Sequence, residues 1–503
     1  MAYCFGFYYI LSLSLSLLAS LSMAQNSDFK LPVKAVNLGN WLVTEGWMQN
    51  PSLFDGIPNK DLLDGTQIQL KSSKLEKYLC AENGGGDVVV GDRSSASGWE
   101  TFRLWRIDQS TFNLRVFNKQ FVGLQNSGVV ARSNQPANPE TFQIVRNDND
   151  PNRVRLKASN GLFVQVQSEK VVTADYSGSG WDDSDPSVFI MTVLNNAPRG
   201  EYQLTNGYGP DRASQVLRDH WNSYITEEDF QFMSSNGINA VRIPVGWWIA
   251  SDPAPPKPYV GGSLQALDNA FGWAGKYGMK VIIDLHAAQG SQNGNDHSAT
   301  RDGSLEWGDQ YIPDTVAVID FLAKRYANDP SLIAIELLNE PVAPGVDLST
   351  LQRYYQAGYD AVRKYTQTAY VILSNRLNID NPKELLSFAS SLNRVVIDVH
   401  YYSLFSDMFN NMNVQQNIDF IYNQRASDLN TVTIANGPLT FVGEWTAEWQ
   451  ISGESDQNYQ KFANAQLEVY GRASFGWAYW SYKCQFEHWS LKRMIEKNII
   501  KLN

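Results

Sequence analysis

The chain has 503 residues, a formal net charge of −11 and a hydrophobic content of 43%. This length exceeds that of one small domain, and the composition is typical of a globular protein with a sizeable core. The acidic balance and the lack of any basic run argue against a nucleic-acid partner, because a phosphate backbone is held mainly by lysine and arginine. A neutral substrate is therefore favoured, and the 15 Trp and 24 Tyr residues offer flat faces that suit sugar rings, although large cores use them too.

The N-terminal segment predicts secretion. Residues 5–21 are apolar or serine and carry no charge, and Ser22-Met23-Ala24 supplies small residues for cleavage. We expect a signal peptide over residues 1–24, although the first lysine is Lys30 and the missing basic start leaves a membrane anchor as the alternative. No later segment has the roughly 20 continuous apolar residues of a spanning helix. The mature protein is expected to be extracellular or in the cell wall, without membrane contact.

Cysteine and histidine usage predicts neither disulfides nor a metal site. Cys4 lies in the signal, which leaves Cys80 and Cys484, far apart in sequence and expected as buried thiols. The five histidines form no cluster with the spacing of metal ligands. We predict no metal, no cofactor and a monomeric protein.

Residues 66–193 form an all-β block with an internal repeat. Short alternating runs are broken by Gly, Asn and Asp, without helical periodicity. Tyr78-Leu79, Phe121-Val122 and Phe163-Val164 lie 43 and then 42 residues apart, each after a strand-like segment. Three units of about 40 residues, none of which buries its apolar face alone, predict a closed pseudo-threefold structure, a β-trefoil.

Around this block, apolar strand-like runs alternate with helical stretches. Eight runs occur, at residues 35–38, 240–245, 281–286, 332–339, 370–374, 395–400, 440–444 and 475–482. Helices are predicted over 226–235, over 351–365 and from near Ala213. Eight alternating units predict an α/β fold, a (β/α)8 TIM barrel. The predicted domains are the barrel, over 25–64 and 197–503, and the trefoil, over 65–196 and inserted in the first βα unit.

Polar residues follow these apolar runs, at the barrel end where catalytic groups collect. They are Arg242, Asp284-Leu285-His286, Asn339-Glu340-Pro341, His400-Tyr401-Tyr402, Glu444-Trp445 and Trp480. A charged group at a buried strand end is costly unless it is paired or used. Strands four and seven lie on opposite sides of the barrel, so we expect Glu340 and Glu444 to face each other across its mouth. Glycoside hydrolysis needs such a pair, with one carboxyl protonated and the other ionised.

Structural roles remain the alternatives at each of these positions. Glu340 and Glu444 can form ordinary salt bridges or caps, Tyr402 and Trp480 can be core aromatics, and His286 can be a core histidine. Arg242 and His400 are expected beside an ionised Glu444, because a cation favours the charged form of a carboxylate. His220 is expected to be structural, and Asp284 is expected to point away from the site.

At these residues the chain resembles glycoside hydrolase family 5, and within it the exo-β-1,3-glucanase branch. The matching segments, in chain order, are VNLGNWLVTEGW, HWNSYITEEDF, VRIPVGWW, DLHAAQGSQNG, LLNEP, DVHYY, FVGEWT and GWAYWSYK. The resemblance implies that Glu340 is the acid/base and Glu444 the nucleophile. It also implies contacts to the −1 sugar from Glu45, Arg242, His286, Asn293, Asn339, His400 and Tyr402, with Trp480 as the stacking platform and Asn339 on the 2-hydroxyl. The segment KYLCAENGGGDVVVGDRSSASGWETFRLW is similar to the fascin-like trefoil family.

The implied activity is that of a retaining β-glycosidase, exo-acting on β-1,3-glucan or related β-glucosides. Gly46, where the branch usually has Pro, and His297, in a loop that usually carries Asn, depart from the pattern at the pocket rim. Long loops around 289–307 and 403–414 favour a walled pocket. An endo-acting cellulase or mannanase, a non-catalytic carbohydrate-binding protein, and a trefoil that carries the function by binding carbohydrate or actin remain alternatives; the signal sequence opposes actin.

Overall fold

The computed structural model describes residues 29–194 and 197–502, and the predicted signal peptide lies outside these ranges. The strands of the described residues form two sheets, an eight-stranded closed barrel and a twelve-stranded sheet. The chain enters the barrel with strand β1 (Val33–Asn37). It then forms the whole twelve-stranded sheet before it returns to the barrel, so the all-β region is an insertion after the first barrel strand.

The insertion consists of short antiparallel strands with two single-turn 3-10 helices, Glu82–Gly84 and Asn138–Glu140, between them. The strands are β2 (Gln67–Ser72), β3 (Tyr78–Ala81), β4 (Val89–Arg93), β5 (Thr101–Arg106), β6 (Thr111–Arg115), β7 (Phe121–Gln125), β8 (Gly128–Ser133), β9 (Thr141–Arg146), β10 (Arg153–Ala158), β11 (Phe163–Ser168), β12 (Val171–Tyr176) and β13 (Phe189–Leu194). Alternate residues of β2 and β5 are buried, as the twofold period of a strand requires.

Strand pairing divides the insertion into a ring and three hairpins. Strands β2, β5, β6, β9, β10 and β13 pair in that order, and β13 closes on β2. The hairpins are β3–β4, β7–β8 and β11–β12. Leu70, Phe102, Leu114 and Phe142 are among the buried side chains of its separate core. These pairings favour a β-trefoil, and the β-trefoil stays a prediction.

The predicted (β/α)8 barrel is confirmed. Its remaining strands are β14 (Ala240–Gly246), β15 (Lys280–Ala287), β16 (Leu332–Glu336), β17 (Tyr370–Ser374), β18 (Val395–Ser403), β19 (Leu439–Trp449) and β20 (Gly476–Tyr479). Each strand runs parallel to the next, and β20 pairs with β1 to close the barrel.

Several strand ends differ from the sequence-based prediction: β18 and β19 extend to Ser403 and Trp449, whereas β16 and β20 end earlier than predicted. Strand β16 ends at Glu336 rather than at residue 339, so Asn339 and Glu340 lie in the turn that follows. Glu340 has φ +44°, a left-handed conformation that cannot continue an extended strand. Strand β20 ends at Tyr479, and Trp480 is the first residue after it.

Helices cover the barrel on the outside. They are α1 (Glu201–Tyr208), α2 (Pro210–Ser223), α3 (Glu227–Ser235), α4 (Ser263–Lys276), α5 (Ile312–Tyr326), α6 (Leu348–Arg363), α7 (Leu386–Ala389), α8 (Val414–Phe420), α9 (Ala426–Val432), α10 (Asp456–Tyr470) and α11 (Leu491–Glu496). The first helix begins at Glu201 instead of near Ala213, and Gly209 with Pro210 separates it from α2. None of the described helices has both the length and the apolar character of a membrane span.

Apolar side chains fill one end of the barrel and leave the other end to polar groups. The buried cluster at the start of the strands contains Val33, Ala35, Ala240, Ile282, Ala334, Ile372, Val396, Phe441 and Phe475. Buried charged residues such as Arg242, Asp284 and Glu336 occur further along the strands. Cys80 and Cys484 are buried free thiols, as predicted.

Candidate active site

A cavity of about 1000 Å³ opens at the carboxyl ends of the barrel strands. The predicted site residues that line it are Glu45, His286, Asn293, Glu340, His400, Tyr402, Glu444 and Trp480. The other two, Arg242 and Asn339, are fully buried and hydrogen bonded to each other. The structure therefore brings all of the predicted site residues together.

Glu340 and Glu444 approach each other closely from opposite sides of the cavity. One oxygen of each carboxylate and one ring nitrogen of His400 all lie within 4.8 Å of one another. Nδ1 of His400 is 2.7 Å from Oε1 of Glu340 and 3.5 Å from Oε2 of Glu444. Both glutamates are buried, with 8% and 5% of their surface exposed. Both carboxyls can therefore reach a substrate bond that lies between them.

Arg242, in strand β14, is hydrogen bonded both to Glu444 and to the more deeply buried Glu336. Its Nη1 donates to Oε1 of Glu444 at 3.0 Å, and its Nε and Nη2 donate to the two oxygens of Glu336 at 2.7 and 3.0 Å. A planar guanidinium suits such paired contacts with carboxylates. The arginine thus supplies positive charge to Glu444 and is itself held in place by a second, deeper carboxylate.

Asn339 offers a free amide donor to the cavity region. Its Oδ1 accepts a hydrogen bond of 2.8 Å from Nη2 of Arg242, which leaves its Nδ2 as the donor on the other side. That buried Nδ2 has no hydrogen-bond partner among the described residues. Because a buried donor without an acceptor is costly, this group is suited to a ligand hydroxyl.

The expectation that Asp284 points away from the site is wrong. Its Oδ2 lies 2.6 Å from Nδ1 of His286 and 3.2 Å from Nη2 of Arg242. Residues 284 and 286 of strand β15 are two apart and so share one face of the strand, which turns both side chains into the barrel. Burial lowers the pKa of His286, so a neutral imidazole held at Nδ1 by Asp284 lies at the cavity wall.

Tyr402, Glu45 and Trp480 complete the lining. The Tyr402 hydroxyl donates to Oε2 of Glu444 at 2.7 Å. Burial raises the pKa of Glu45 to about 7, and its carboxylate accepts a hydrogen bond of 3.0 Å from Nε1 of Trp47. The Trp480 ring stacks on that of His286, with 5.4 Å between centroids and 9° between planes.

His297, which the sequence marked only as a departure at the rim, contacts Glu340 directly. Its Nε2 is 3.1 Å from Oε2 of Glu340 and 2.9 Å from Nδ2 of Asn293. Although burial opposes a charge on the imidazole, Glu340 raises the pKa of His297 to about 9. Burial likewise opposes ionisation of Glu340, but hydrogen bonds from His297 and His400 outweigh it and hold the pKa of Glu340 well below its usual value.

Two buried carboxylates behind the site were also missed from the sequence, Glu336 and Asp398. Asp398 lies 3.2 Å from Nε2 of His400 and accepts the backbone N–H of Gly443 at 2.7 Å. The available signal was a charged residue within an otherwise apolar run, ELLNE for Glu336 and VVIDVH for Asp398.

Carboxylates and His400 also form the clusters with the spacing of metal ligands. In the described residues these are Glu336 with Asp398 and His400, and Glu340 with His400 and Glu444. Arg242, Gly443, His297 and Tyr402 already donate to or contact these carboxylates. The absence of a metal stays a prediction.

A closed parallel barrel with two facing buried carboxyls, an arginine, histidines and a tryptophan at its mouth defines a glycoside hydrolase. The family model described as Cellulase (glycosyl hydrolase family 5) matches residues 206–485. The chain therefore belongs to glycosyl hydrolase family 5 and is a β-glycosidase. The insertion matches Domain of unknown function (DUF7910) over residues 59–194.

Curated relatives share the barrel. Glucan 1,3-beta-glucosidase of Blumeria graminis is 34% identical over 363 residues, which cover 63% of this chain and 82% of that protein. Glucan 1,3-beta-glucosidase of Schwanniomyces occidentalis is 30% identical over 391 residues, covering 69% and 91%. Among solved structures, rutinosidase from Aspergillus niger has a TM-score of 0.53 at 20% identity and covers 61% of this chain and 90% of that chain; this likeness shows the fold.

Proposed function

We propose that this β-glycosidase is a retaining exo-enzyme that releases glucose from β-1,3-glucan or related β-glucosides. The observation that carries the retaining mechanism is the approach of the Glu340 and Glu444 oxygens to within 4.8 Å. Retaining glycosidases place their carboxyls about 5–5.5 Å apart, whereas inverting enzymes need roughly 6.5–9.5 Å to admit a water molecule. The separation here leaves no room for that water.

Glu444 is assigned as the nucleophile because both of its oxygens have a donor. Arg242 donates to Oε1 and Tyr402 to Oε2, and these bonds hold the carboxylate in one orientation for attack. Glu340 is the acid/base, since its neighbours His297 and His400 can exchange protons with it. Asn339 Nδ2 is assigned to the sugar 2-hydroxyl, where a contact that tightens in the transition state contributes to rate.

The reaction proceeds in two displacements. Glu340 takes a proton from His297 or His400 and gives it to the glycosidic oxygen while Glu444 attacks the anomeric carbon; the bond to the leaving group breaks and a glycosyl ester forms. Water then attacks the same carbon and gives a proton to Glu340, and the ester bond to Glu444 breaks. Two inversions return the sugar with its original configuration.

The walls of the cavity favour exo action. The loop after β15 contributes Asn295, Asp296 and His297, and the segment after β18 contributes Phe405. The two relatives are glucan 1,3-beta-glucosidases, which supports this mode and glucan as substrate. An endo-acting enzyme needs an open cleft instead. Secretion is part of the same proposal and is supported by the charge-free apolar run at residues 5–21.

Azide rescue of glycine variants tests the assigned roles. With an aryl β-glucoside, Glu444→Gly should lose turnover and regain it with azide, giving the α-glucosyl azide by a single inversion. Glu340→Gly with azide should give the β-glucosyl azide, because azide then attacks the glycosyl ester. Glu468→Ala, at a surface glutamate paired with Arg472, serves as the control and should behave as wild type. Wild-type turnover of Glu444→Gly without azide would refute the nucleophile assignment.

Product sizes test the exo mode. The wild-type protein is incubated with laminari-, cello- and manno-oligosaccharides, and products are separated at successive times. An exo-glucosidase acting on laminari-oligosaccharides releases glucose from the first time point and shortens the substrate one unit at a time. Early products of intermediate length would identify an endo-acting enzyme.

A further inference from the structure

One loop touches both the catalytic pair and the insertion. It follows strand β15 and spans residues 289–307, and the Glu306 N–H closes it on the Gly290 carbonyl at 2.7 Å. Near its start, Asn293 donates to the backbone oxygen of Glu340 at 3.0 Å, and His297 contacts the Glu340 carboxylate. Only five residues after His297, the loop reaches the insertion at Asp302.

The insertion contacts this loop through a buried ion pair. Arg115, the last residue of β6, donates to Oδ2 of Asp302 at 2.7 Å and to Oε1 of Glu306 at 2.9 Å. Trp105 of β5 donates its Nε1 proton to the same Asp302 oxygen at 2.7 Å. The Arg115 and Asp302 side chains are 9% and 2% exposed. Despite burial, Arg115 holds the pKa of Asp302 below its usual value, so the pair is ionised at neutral pH.

A second set of contacts holds the neighbouring backbone. The Arg301 guanidinium lies 3.8 Å from the Trp105 ring centroid, and its Nε donates to Oδ1 of Asp64 at 2.9 Å. From the barrel side, Gln203 of α1 donates to the carbonyls of Thr300 and Arg301 at 2.9 and 2.7 Å. Residues 300–302 are therefore held between the insertion and the first barrel helix.

Ser291 connects the held segment to the catalytic one, because its carbonyl accepts the Glu306 N–H at 3.4 Å and its Oγ accepts the Gly294 N–H at 2.9 Å. Ser298 Oγ lies 2.6 Å from Ser291 Oγ and 2.8 Å from the Asn295 carbonyl. Thr300 Oγ1 donates to the Ser304 carbonyl at 2.9 Å. A loop tied internally in this way moves as a unit, so a shift at Asp302 displaces His297.

We infer that the insertion is a structural component of the catalytic centre: Arg115 and Trp105 act through Asp302 to position His297 against the Glu340 carboxylate. This inference rests on the proposed function, because proton transfer at Glu340 is the step that the contact serves. Arg115 and Trp105 are positioning residues, remote from the reacting atoms. The domain is thus more than a tethered carbohydrate-binding module.

The positioning role has a signature in the pH profile. The charged and titratable groups around His297, from every element that packs against it, are Glu340, Glu45, Glu444, Asp296 and His286. Together, His297 and Glu340 retain one proton until the pH passes the His297 pKa of about 9, as coupled sites do. If the loop shifts and the contact lengthens, Glu340 and His400 must hold that proton without the His297 imidazole, and the basic limb of activity moves to lower pH.

The test compares two buried arginines of the insertion in the full-length protein. Arg155 is 3% exposed, lies 3.7 Å over the Phe163 ring and donates to Ser187 at 2.9 Å, so it binds within the insertion alone. Arg115→Met should lower kcat for an aryl β-glucoside by about 10- to 100-fold, as small misplacements of catalytic groups do, and shift the basic limb downward. Arg155→Met should lower the melting temperature while kcat and the pH profile stay as in wild type.

Three further results complete the test. Asp302→Asn weakens the same ion pair from the barrel side and should give the same loss of kcat and the same pH shift as Arg115→Met. It serves as the test variant if Arg115→Met does not fold. In a His297→Asn background, Arg115→Met should cause no additional pH shift. Wild-type kcat and pH profile in folded Arg115→Met or Asp302→Asn would overturn the inference. That outcome leaves the proposed function intact, because the azide experiment at Glu444 and Glu340 does not involve the insertion.

Discussion

The Tyr402 hydroxyl donates a 2.7 Å hydrogen bond to Oε2 of Glu444. The opposite oxygen, Oε1, receives Nη1 of Arg242 at 3.0 Å. The two donors come from different barrel strands, β18 and β14, and reach the carboxylate from separate directions. The plane of the carboxylate is thereby fixed before any substrate binds, as the proposed role of Glu444 as nucleophile requires.

Tyr402→Phe should lower kcat by about 10- to 100-fold, because a hydrogen bond to a charged group contributes roughly 1.5–3 kcal/mol. The ring remains to pack against Phe405 and Trp489, so the melting temperature should change little. Steady-state kinetics and a thermal melt measure both quantities. An unchanged kcat would show that Arg242 alone orients the nucleophile.

Arg242→Met should destabilise the protein strongly. The arginine contacts Glu336 and Asp284, which are fully buried, and removal of one partner of such a buried pair costs about 3–5 kcal/mol. Urea denaturation followed by tryptophan fluorescence measures the free energy of unfolding. Arg242→Lys is the matched variant; it keeps the charge but cannot make the paired contacts, so its loss should be intermediate. A loss below about 1 kcal/mol, the size of an average substitution, contradicts this prediction.

His297→Asn should move the basic limb of kcat/KM to lower pH. The His297 pKa is raised to about 9, so the wild-type pair keeps its proton below that pH and loses it as the pH rises through it. Without the His297 imidazole, only Glu340 and His400 share the proton, and the limb should move by about one unit or more, the size of the coupling between such sites. A pH series of kcat/KM on an aryl β-glucoside measures the shift; a limb at the wild-type position contradicts it.

Local sequence patterns predicted most of the barrel and most of the site. Apolar runs ending in Arg242, His400 or Glu444 are visible without any structure, and parallel strands bring such ends to one edge of the barrel. The prediction for Asp284 is wrong because the twofold period of β15 puts residues 284 and 286 on the same face of the strand. The end of β16 was placed too late because the backbone turn at Glu340 carries no side-chain pattern.

The remaining features depend on contacts between distant parts of the chain. Arg115 and Asp302 are 187 residues apart, and nothing near either residue indicates the other. His297 appears in the sequence only as an unusual residue in a loop. Its approach to Glu340 follows from the path of that loop, which tertiary packing against the insertion determines.

The left-handed backbone of Glu340, at φ +44°, has a consequence for stability. A residue with a Cβ loses roughly 1–2 kcal/mol in this conformation, and glycine does not. Both Glu340→Gly and Glu340→Ala lack the carboxyl, but Glu340→Gly should be more stable by about 1 kcal/mol. Urea denaturation of the two variants measures the difference in the free energy of unfolding. Equal stabilities contradict this prediction. The native state is therefore less stable with glutamate than with glycine at this position, and with the proposed acid/base role of Glu340, heat tolerance and turnover compete at one residue.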